Sequence, residues 1–148
     1  WLRTGDLGVF LDGELFITGR IADLVIIDGI AHYPQDLEAT ATEASPMVRR
    51  GHVTAFSVPA NELPAAVDSG ASDGGQRSVI VAERAAGTGR ENPRPAIEAI
   101  RAAVSRRHGL TVADVRFLPA GGIPRTTSGK LARRACRAEY LGGALGGR

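Results

Sequence analysis

The chain has 148 residues, of which 43% are hydrophobic and 23% are charged. This balance suits one compact domain and excludes a disordered, collagen-like or disulfide-stapled protein. The 18 basic and 16 acidic residues leave a formal charge of +2, which is spread along the chain. Such a small excess does not indicate a nucleic-acid partner.

Cysteine usage and hydropathy exclude further classes. Cys136 is the one cysteine, which excludes an intramolecular disulfide, and the three histidines have no spacing typical of zinc, so no metal ligand is predicted. No apolar run approaches the roughly 20 residues that a membrane span needs. The sequence begins at Trp1 without a signal-peptide pattern. We therefore expect a cytoplasmic protein without a transmembrane segment, and a sequence that is a piece of a longer one.

The first part of the chain predicts short strands followed by a helix. Two apolar segments, residues 8–11 and 14–18, flank an Asp12-Gly13 dipeptide, which is a strong signal for a β-hairpin. Residues 23–27 form a further extended segment. Residues 35–45 are predicted to form a helix, because Pro34 is tolerated in a first turn and Pro46 ends the pattern.

The remainder predicts strands and helices in alternation. Residues 53–58 and 78–82 are rich in β-branched and aromatic side chains, which favours paired strands, and residues 61–76 predict an exposed, mobile loop. An amphipathic helix over 95–107 and a strand over 115–118 follow. The loop 119–129 leads to a final helix over 130–140 and a flexible tail over 142–148. This order, a small β-hairpin unit and then α-β-β-α-β-α, predicts an α+β fold with a small mixed sheet flanked by helices.

The segment from Gly122 to Lys130 is rich in glycine, serine and threonine and carries the one lysine of the chain. It is not a phosphate-binding P-loop, because Pro124 and Leu131 occupy the places where that motif needs glycine and serine or threonine. A single ammonium group presented by such a loop suits a phosphate or carboxylate that is in transit. An ordinary solvated loop is the alternative interpretation.

Two further sets of charged residues are candidates for binding. If the predicted hairpin is antiparallel about Asp12-Gly13, Asp6 and Arg20 lie near the same end of the ribbon, where a carboxylate suits ribose hydroxyls and a guanidinium suits a phosphate. Turn residues and a surface charge are the alternative interpretation. Three arginines of the last predicted helix form a candidate docking surface for an acidic partner or, alternatively, a solvated face: Arg133, Arg134 and Arg137.

Three segments taken together resemble the carboxy-terminal lid domain of the adenylate-forming superfamily, which includes acyl-CoA synthetases and peptide-synthetase adenylation domains. They are Arg3-Thr4-Gly5-Asp6-Leu7-Gly8, Thr18-Gly19-Arg20 with the run from Asp23 to Gly29, and Pro124-Arg125-Thr126-Thr127-Ser128-Gly129-Lys130-Leu131. Within the superfamily, the segments 32–38 and 131–137 are similar to the fatty acyl-AMP ligases, especially the mycobacterial type that supplies acyl chains to polyketide synthases for lipids such as mycolic acids.

The resemblance implies a role for each candidate residue. Lys130 is expected to be the adenylation lysine, Asp6 to bind the ribose hydroxyls of ATP, and Arg20 to contact the ribose and α-phosphate. A hinge is expected at Ala22 and Asp23. The family usually has lysine or aspartate at the first hinge position, so Ala22 departs from its pattern.

The resemblance also implies the setting in which these residues act. Residues 1–22 are expected to join a large amino-terminal domain, residues 23–141 to form the lid, and Gly29 to lie on the tunnel that admits a pantetheine thiol. Magnesium is expected on the phosphates of ATP, with its protein ligands in the amino-terminal domain.

The resulting hypothesis is a ligase that activates a long-chain fatty acid with ATP and passes the acyl group to the phosphopantetheine of an acyl carrier protein or polyketide synthase. The chain by itself is expected to be inactive. Two alternatives stay open: a fatty acyl-CoA synthetase, which differs in its acceptor, and a non-catalytic module that docks a carrier protein.

Overall fold

A computed structural model of the chain describes residues 3–64, 67 and 75–145. Its elements follow the predicted α+β order, which confirms the fold class. They are β1 (Asp6–Leu11), β2 (Glu14–Arg20), β3 (Val25–Ile27), β4 (Ile30–His32), α1 (Pro34–Ala44), β5 (Val48–Pro59), β6 (Gln76–Arg84), α2 (Arg94–His108), β7 (Val112–Leu118) and α3 (Arg133–Leu141). Single turns of 3-10 helix, Ile21–Asp23 and Ala60–Glu62, follow β2 and β5.

Two β-hairpins precede the main sheet. In the first, β1 pairs with β2 in antiparallel fashion, and its turn residues Asp12 and Gly13 have φ angles of 50° and 85°. In the second, β3 pairs with β4 through Asp28 and Gly29, whose φ angles are 50° and 77°. Two consecutive positive φ angles match the right-handed twist of the flanking strands, which explains the Asp-Gly sequence at both turns.

The main sheet has three strands in the order β5-β6-β7. β5 and β6 are antiparallel, whereas β6 and β7 are parallel and are joined through α2, so the sheet is mixed as predicted. β6 is the central strand, and its run Val79-Ile80-Val81-Ala82 is fully buried. A strand that is covered on both faces has a continuous run of apolar residues of this kind in its sequence.

Alternate residues of the sheet strands belong to two separate hydrophobic clusters. One face carries Ala55 and Ile80, which pack with side chains of β3, α1 and α2. The other face carries Phe56 and Val81, which pack with Cys136 and other side chains of α3. Because successive side chains of a strand point to opposite faces, α3 lies on the face of the sheet opposite α1 and α2.

Several predicted boundaries differ from the structure. The final helix begins at Arg133 and not at residue 130, since Leu131 forms a β-bridge with Arg125. β5 begins five residues early and contains an irregularity near Gly51, whose φ is 71°. The short strand β4 was absent from the prediction.

Two segments predicted to be mobile lie partly outside the described residues. These are the loop over 61–76, of which residues 65, 66 and 68–74 are not described, and the tail over 142–148, of which residues 146–148 are not described. In the described part of the tail, the Ala144 N–H donates to the Glu139 carbonyl at 2.9 Å. Leu145 packs against the cluster beneath α3.

Candidate functional site

The candidate lysine lies in a tight turn between β7 and α3, in a segment that we call the lysine loop (residues 119–132). Within the loop, the Thr126 N–H donates to the Lys130 carbonyl at 2.8 Å, and the Lys130 N–H donates to Thr126 Oγ1 at 3.1 Å. Arg125 Nη1 donates to the Gly129 carbonyl at 2.7 Å. Lys130 is exposed at this turn and not at a helix start as predicted, because the bridge between Arg125 and Leu131 keeps the chain extended.

Two acidic residues that the sequence analysis did not single out hold the two ends of the lysine loop. Glu83 is fully buried at the end of β6 and accepts a hydrogen bond from the Ile123 N–H at 3.2 Å. Glu38, on α1, accepts hydrogen bonds from Arg133 Nε at 2.6 Å and from Arg133 Nη2 at 2.7 Å. Glu38 ends the segment 32–38 that resembles the fatty acyl-AMP ligases, but no local pattern links Glu38 or Glu83 to the loop, so only the folded chain brings them there.

The environment of Glu83 favours its charged form. Burial acts to raise the pKa of Glu83, but hydrogen bonds from the Gly121 backbone, from Arg49 and from the Ile123 backbone outweigh it and lower that pKa below its usual value. The Arg49 Nη1 to Glu83 Oε2 distance is 2.7 Å. The carboxylate is therefore ionised at neutral pH and fully partnered.

The predicted pairing of Asp6 with Arg20 is present. The two residues are opposite each other in the β1–β2 register, and Arg20 Nε lies 3.1 Å from Asp6 Oδ1. An open groove beside them is lined by residues that include Arg20, Asp23, Gln35 and Arg133. Among the described residues, no hydrogen bond or ion pair joins Lys130 to Asp6 or Arg20.

The predicted hinge lies beside the start of α3. Ala22 and Asp23 belong to the 3-10 turn that follows β2, and the N–H of Ile21 in that turn donates to the Gly5 carbonyl at 2.9 Å. Asp23 lies 4.0 Å from Arg133 Nη1 and 3.8 Å from Arg134 Nε. The hinge segment and the far end of the lysine loop are therefore neighbours.

The three arginines proposed for docking have different surroundings. Arg133 is held by Glu38, and that hydrogen-bonded pair raises the pKa of the Arg133 guanidinium. Arg137 Nε donates to the Ser57 carbonyl at 2.8 Å. Arg134 has 76% of its side chain exposed. Arg134 is thus the member of the set best placed to meet a partner.

Gly29 occupies the turn of the second hairpin, on a different element from Lys130. Ile26 and Ile30 near it are 47% and 62% exposed. Within the described ranges, no group of three or more histidine, cysteine or acidic residues is arranged to hold a metal ion. No described helix is both long enough and apolar enough to cross a membrane.

No protein-family model matches the chain. Among curated proteins, the long-chain-fatty-acid--AMP ligase FadD32 of Mycolicibacterium smegmatis is 57% identical, over 98% of the chain and 24% of its own length. The chain belongs to the fatty acyl-AMP ligase family. The medium-chain-fatty-acid--[acyl-carrier-protein] ligase JamA of Moorena producens is 41% identical, over 98% of the chain and 23% of its own length.

A structural comparison agrees with this fatty acyl-AMP ligase assignment. A structure from a study of fatty acyl-adenylate ligases of E. coli and L. pneumophila superposes with a TM-score of 0.73 at 34% identity, over 97% of this chain and 22% of the other. The family resemblance predicted from the three motifs is therefore confirmed. The chain spans about a quarter of the length of the curated fatty acyl-AMP ligases it matches, and it corresponds to their carboxy-terminal part.

Proposed function

We propose that this chain is the lid domain of a fatty acyl-AMP ligase that activates a long-chain fatty acid with ATP. The fatty carboxylate attacks the α-phosphorus, the bond to the pyrophosphate oxygen breaks, and acyl-AMP forms. A pantetheine thiol of an acyl carrier protein or polyketide synthase then attacks the acyl carbon, loses its proton and releases AMP. The observation that carries the proposal is the exposed Lys130 on a turn fixed by hydrogen bonds, in a chain of this family.

In the first step, Lys130 is assigned the catalytic role. Its ammonium group lies between the attacking carboxylate and the α-phosphate oxygens, which fixes the attack geometry and stabilises the charge that develops on phosphorus. The closed backbone of the lysine loop supports this assignment, because a cation on a fixed turn is already oriented when substrate arrives.

Asp6 and Arg20 are assigned to the nucleotide. The Asp6 carboxylate accepts hydrogen bonds from the two ribose hydroxyls, and the Arg20 guanidinium contacts the ribose and α-phosphate. Their pairing across β1 and β2, at 3.1 Å, supports this proposal because it places an acceptor and a cation side by side. Magnesium is expected on the phosphates of ATP, with its protein ligands in the amino-terminal part of the enzyme.

The second step requires the lid to turn about Ala22 and Asp23, so that Lys130 leaves and the hairpin carrying Gly29 lines the thiol tunnel. Arg134 is the candidate contact for an acidic carrier protein, with Arg137 and Arg133 beside it. The JamA relative, which is named for ligation to a carrier protein, supports a carrier as the acceptor. We expect the enzyme to act in the cytoplasm.

The amino-terminal part of the full-length enzyme is proposed to cover the first hairpin and to supply most of the ATP and acyl pockets. The hairpin supports this because Phe10 and Ile17 are 73% and 64% exposed, and large apolar patches mark interaction surfaces. The chain by itself is therefore expected to be inactive.

The test uses the full-length enzyme with fatty acid, ATP and magnesium, with and without free coenzyme A, and identifies products by mass spectrometry. Lys130→Ala is expected to lower acyl-AMP formation by about 10² to 10³-fold. Arg106→Ala, which removes an exposed charge at the end of α2, is the control and is expected to leave it unchanged. Abundant acyl-CoA would identify a coenzyme A ligase instead. Acyl-AMP formation that is equal in native and Lys130→Ala enzymes would favour a non-catalytic docking module.

A further inference from the structure

We infer that Glu83 and Glu38 are positioning residues for Lys130, each holding one end of the lysine loop against the rest of the domain. The inference rests on the proposed adenylation role of Lys130. It concerns two side chains that lie far from Lys130 in sequence and that contact the ends of its loop.

Glu83 holds the first end of the loop. Its carboxylate is fully buried and accepts hydrogen bonds from the Gly121 and Ile123 backbones of the loop and from the Arg49 side chain of β5. A buried charge is costly unless it is paired and hydrogen-bonded, so each partner is held strongly in place. The central strand β6 therefore fixes where the loop leaves the sheet.

Glu38 holds the other end. Both of its oxygens accept hydrogen bonds from Arg133, which is the first residue of α3 and lies three residues after Lys130. A bidentate ion pair of this kind fixes the orientation of the guanidinium as well as its distance from the carboxylate. Glu38 Oε1 also accepts the Ala55 N–H at 3.0 Å, so one carboxylate joins α1, β5 and the start of α3.

The interior of the loop transmits these two restraints to Lys130. The bridge between Arg125 and Leu131 and the Thr126 hydrogen bonds define the shape of the turn. They do not define where the turn lies relative to the sheet, because all of these partners belong to the loop itself. Ile123 and Leu131 pack the loop against the cluster beneath α3, and Glu83 and Glu38 add directional polar contacts that fix its orientation. A misplacement near 1 Å can cost about 10²-fold in rate.

The experiment separates the two half-reactions in the full-length enzyme. Pyrophosphate release reports adenylation, and transfer from supplied acyl-AMP to a pantetheine thiol reports the second step, which the proposed mechanism runs with Lys130 withdrawn. Glu38→Gln, which cannot form the charged pair with Arg133, is expected to lower the kcat of adenylation about 10 to 10²-fold. Transfer is expected to change less than about 2-fold, because a misplaced lysine affects only the step that uses it.

Three further variants sharpen the comparison. Arg133→Lys keeps the charge but cannot bind both oxygens of Glu38, so it is expected to lower adenylation as Glu38→Gln does. Glu83→Asp keeps the buried charge but withdraws the carboxylate from Ile123, and it is expected to lower adenylation more than transfer in the same way. Glu43→Gln is the matched control on α1, because Glu43 is 66% exposed and its carboxylate pairs with Arg107 of α2.

Each outcome decides between distinct conclusions. An equal loss in both half-reactions would show that Glu38 and Glu83 only support folding, which overturns the inference. Unchanged adenylation in these variants, with Lys130→Ala still defective, would overturn the inference and leave the proposed function intact. Full adenylation in Lys130→Ala would instead overturn the proposed function, and the positioning role with it.

Discussion

Replacing Arg49 by methionine tests the energetics of the buried carboxylate that anchors the lysine loop. Arg49 Nη1 lies 2.7 Å from Glu83 Oε2, and the Glu83 side chain has no exposed surface. Breaking a buried ion pair from one side typically costs roughly 3–5 kcal/mol, because the remaining charge is left without its partner.

Two features of the structure make the expected cost of Arg49→Met smaller than this. The Arg49 side chain is 42% exposed, so water reaches the pair and replaces part of what the guanidinium provides. The Gly121 and Ile123 backbones also continue to bind the carboxylate. We therefore expect Arg49→Met to lower the free energy of unfolding by about 2 kcal/mol at pH 7, within the range for a hydrogen bond to a charged group.

The loss of stability caused by Arg49→Met should become smaller as the pH falls. The folded state lowers the pKa of Glu83, so the stabilisation is present above the ordinary pKa of glutamate and disappears as pH falls through the folded-state value. Without Arg49, burial moves the pKa of Glu83 upward relative to the native protein. The difference in stability between the two proteins should therefore narrow as the pH is lowered from 7 toward 4.

Urea unfolding of both proteins at several pH values measures this difference. Arg107→Met is the matched control, because Arg107 and Glu43 are 59% and 66% exposed and such a pair is worth about 0–1 kcal/mol. A change at pH 7 no larger than that of the control would refute the reasoning, as would a difference for Arg49→Met that stays constant with pH.

Two further predictions concern the face of the sheet under α3. Burial raises the pKa of the Cys136 thiol to about 11, so an aromatic disulfide reagent at pH 8 should react on the order of 10²-fold more slowly with native than with urea-unfolded protein. Equal rates would contradict this burial. Tyr140→Phe removes the hydrogen bond from Tyr140 to Asp114 Oδ2 and should cost about 1 kcal/mol of stability in thermal unfolding. An unchanged midpoint would show that Arg116, which also binds Asp114, is sufficient.

Local signals predicted those parts of the fold that depend on neighbours in sequence. Asp12-Gly13 correctly predicted the first hairpin, and Asp28-Gly29 carries the same signal for the second, which the sequence analysis passed over. The apolar stripe of α2 ends at Gly109, whose φ of 63° ends the helix. The predicted start of α3 was wrong because the bridge between Arg125 and Leu131, within the lysine loop, keeps the chain extended where the pattern predicted a helix.

In the candidate site too, local signals predicted the contacts between neighbours in sequence but not those between distant residues. Asp6 and Arg20 could be placed together from the register of one hairpin. The contacts that hold the lysine loop could not be predicted, because Glu38 and Arg133 are separated by 95 residues and Glu83 and Ile123 by 40. From the sequence, Arg133 was therefore assigned to a basic surface. In the fold, its guanidinium pairs with the carboxylate of Glu38.

The two carboxylates near Arg133 differ in a way that suits a lid that turns. Glu38 binds Arg133 with two hydrogen bonds of 2.6 Å and 2.7 Å, whereas Asp23 approaches Arg133 at 4.0 Å and Arg134 at 3.8 Å. Partly exposed pairs at such distances contribute about 0–1 kcal/mol. If Ala22 and Asp23 form the hinge, as we propose, rotation breaks the weak contacts of Asp23 and the hydrogen bond from Gln35 Nε2 to the Thr18 carbonyl, but it spares the pair of Glu38 with Arg133. The strong pair moves with the lid, so the lysine loop keeps its shape and placement in the domain while the domain changes its position.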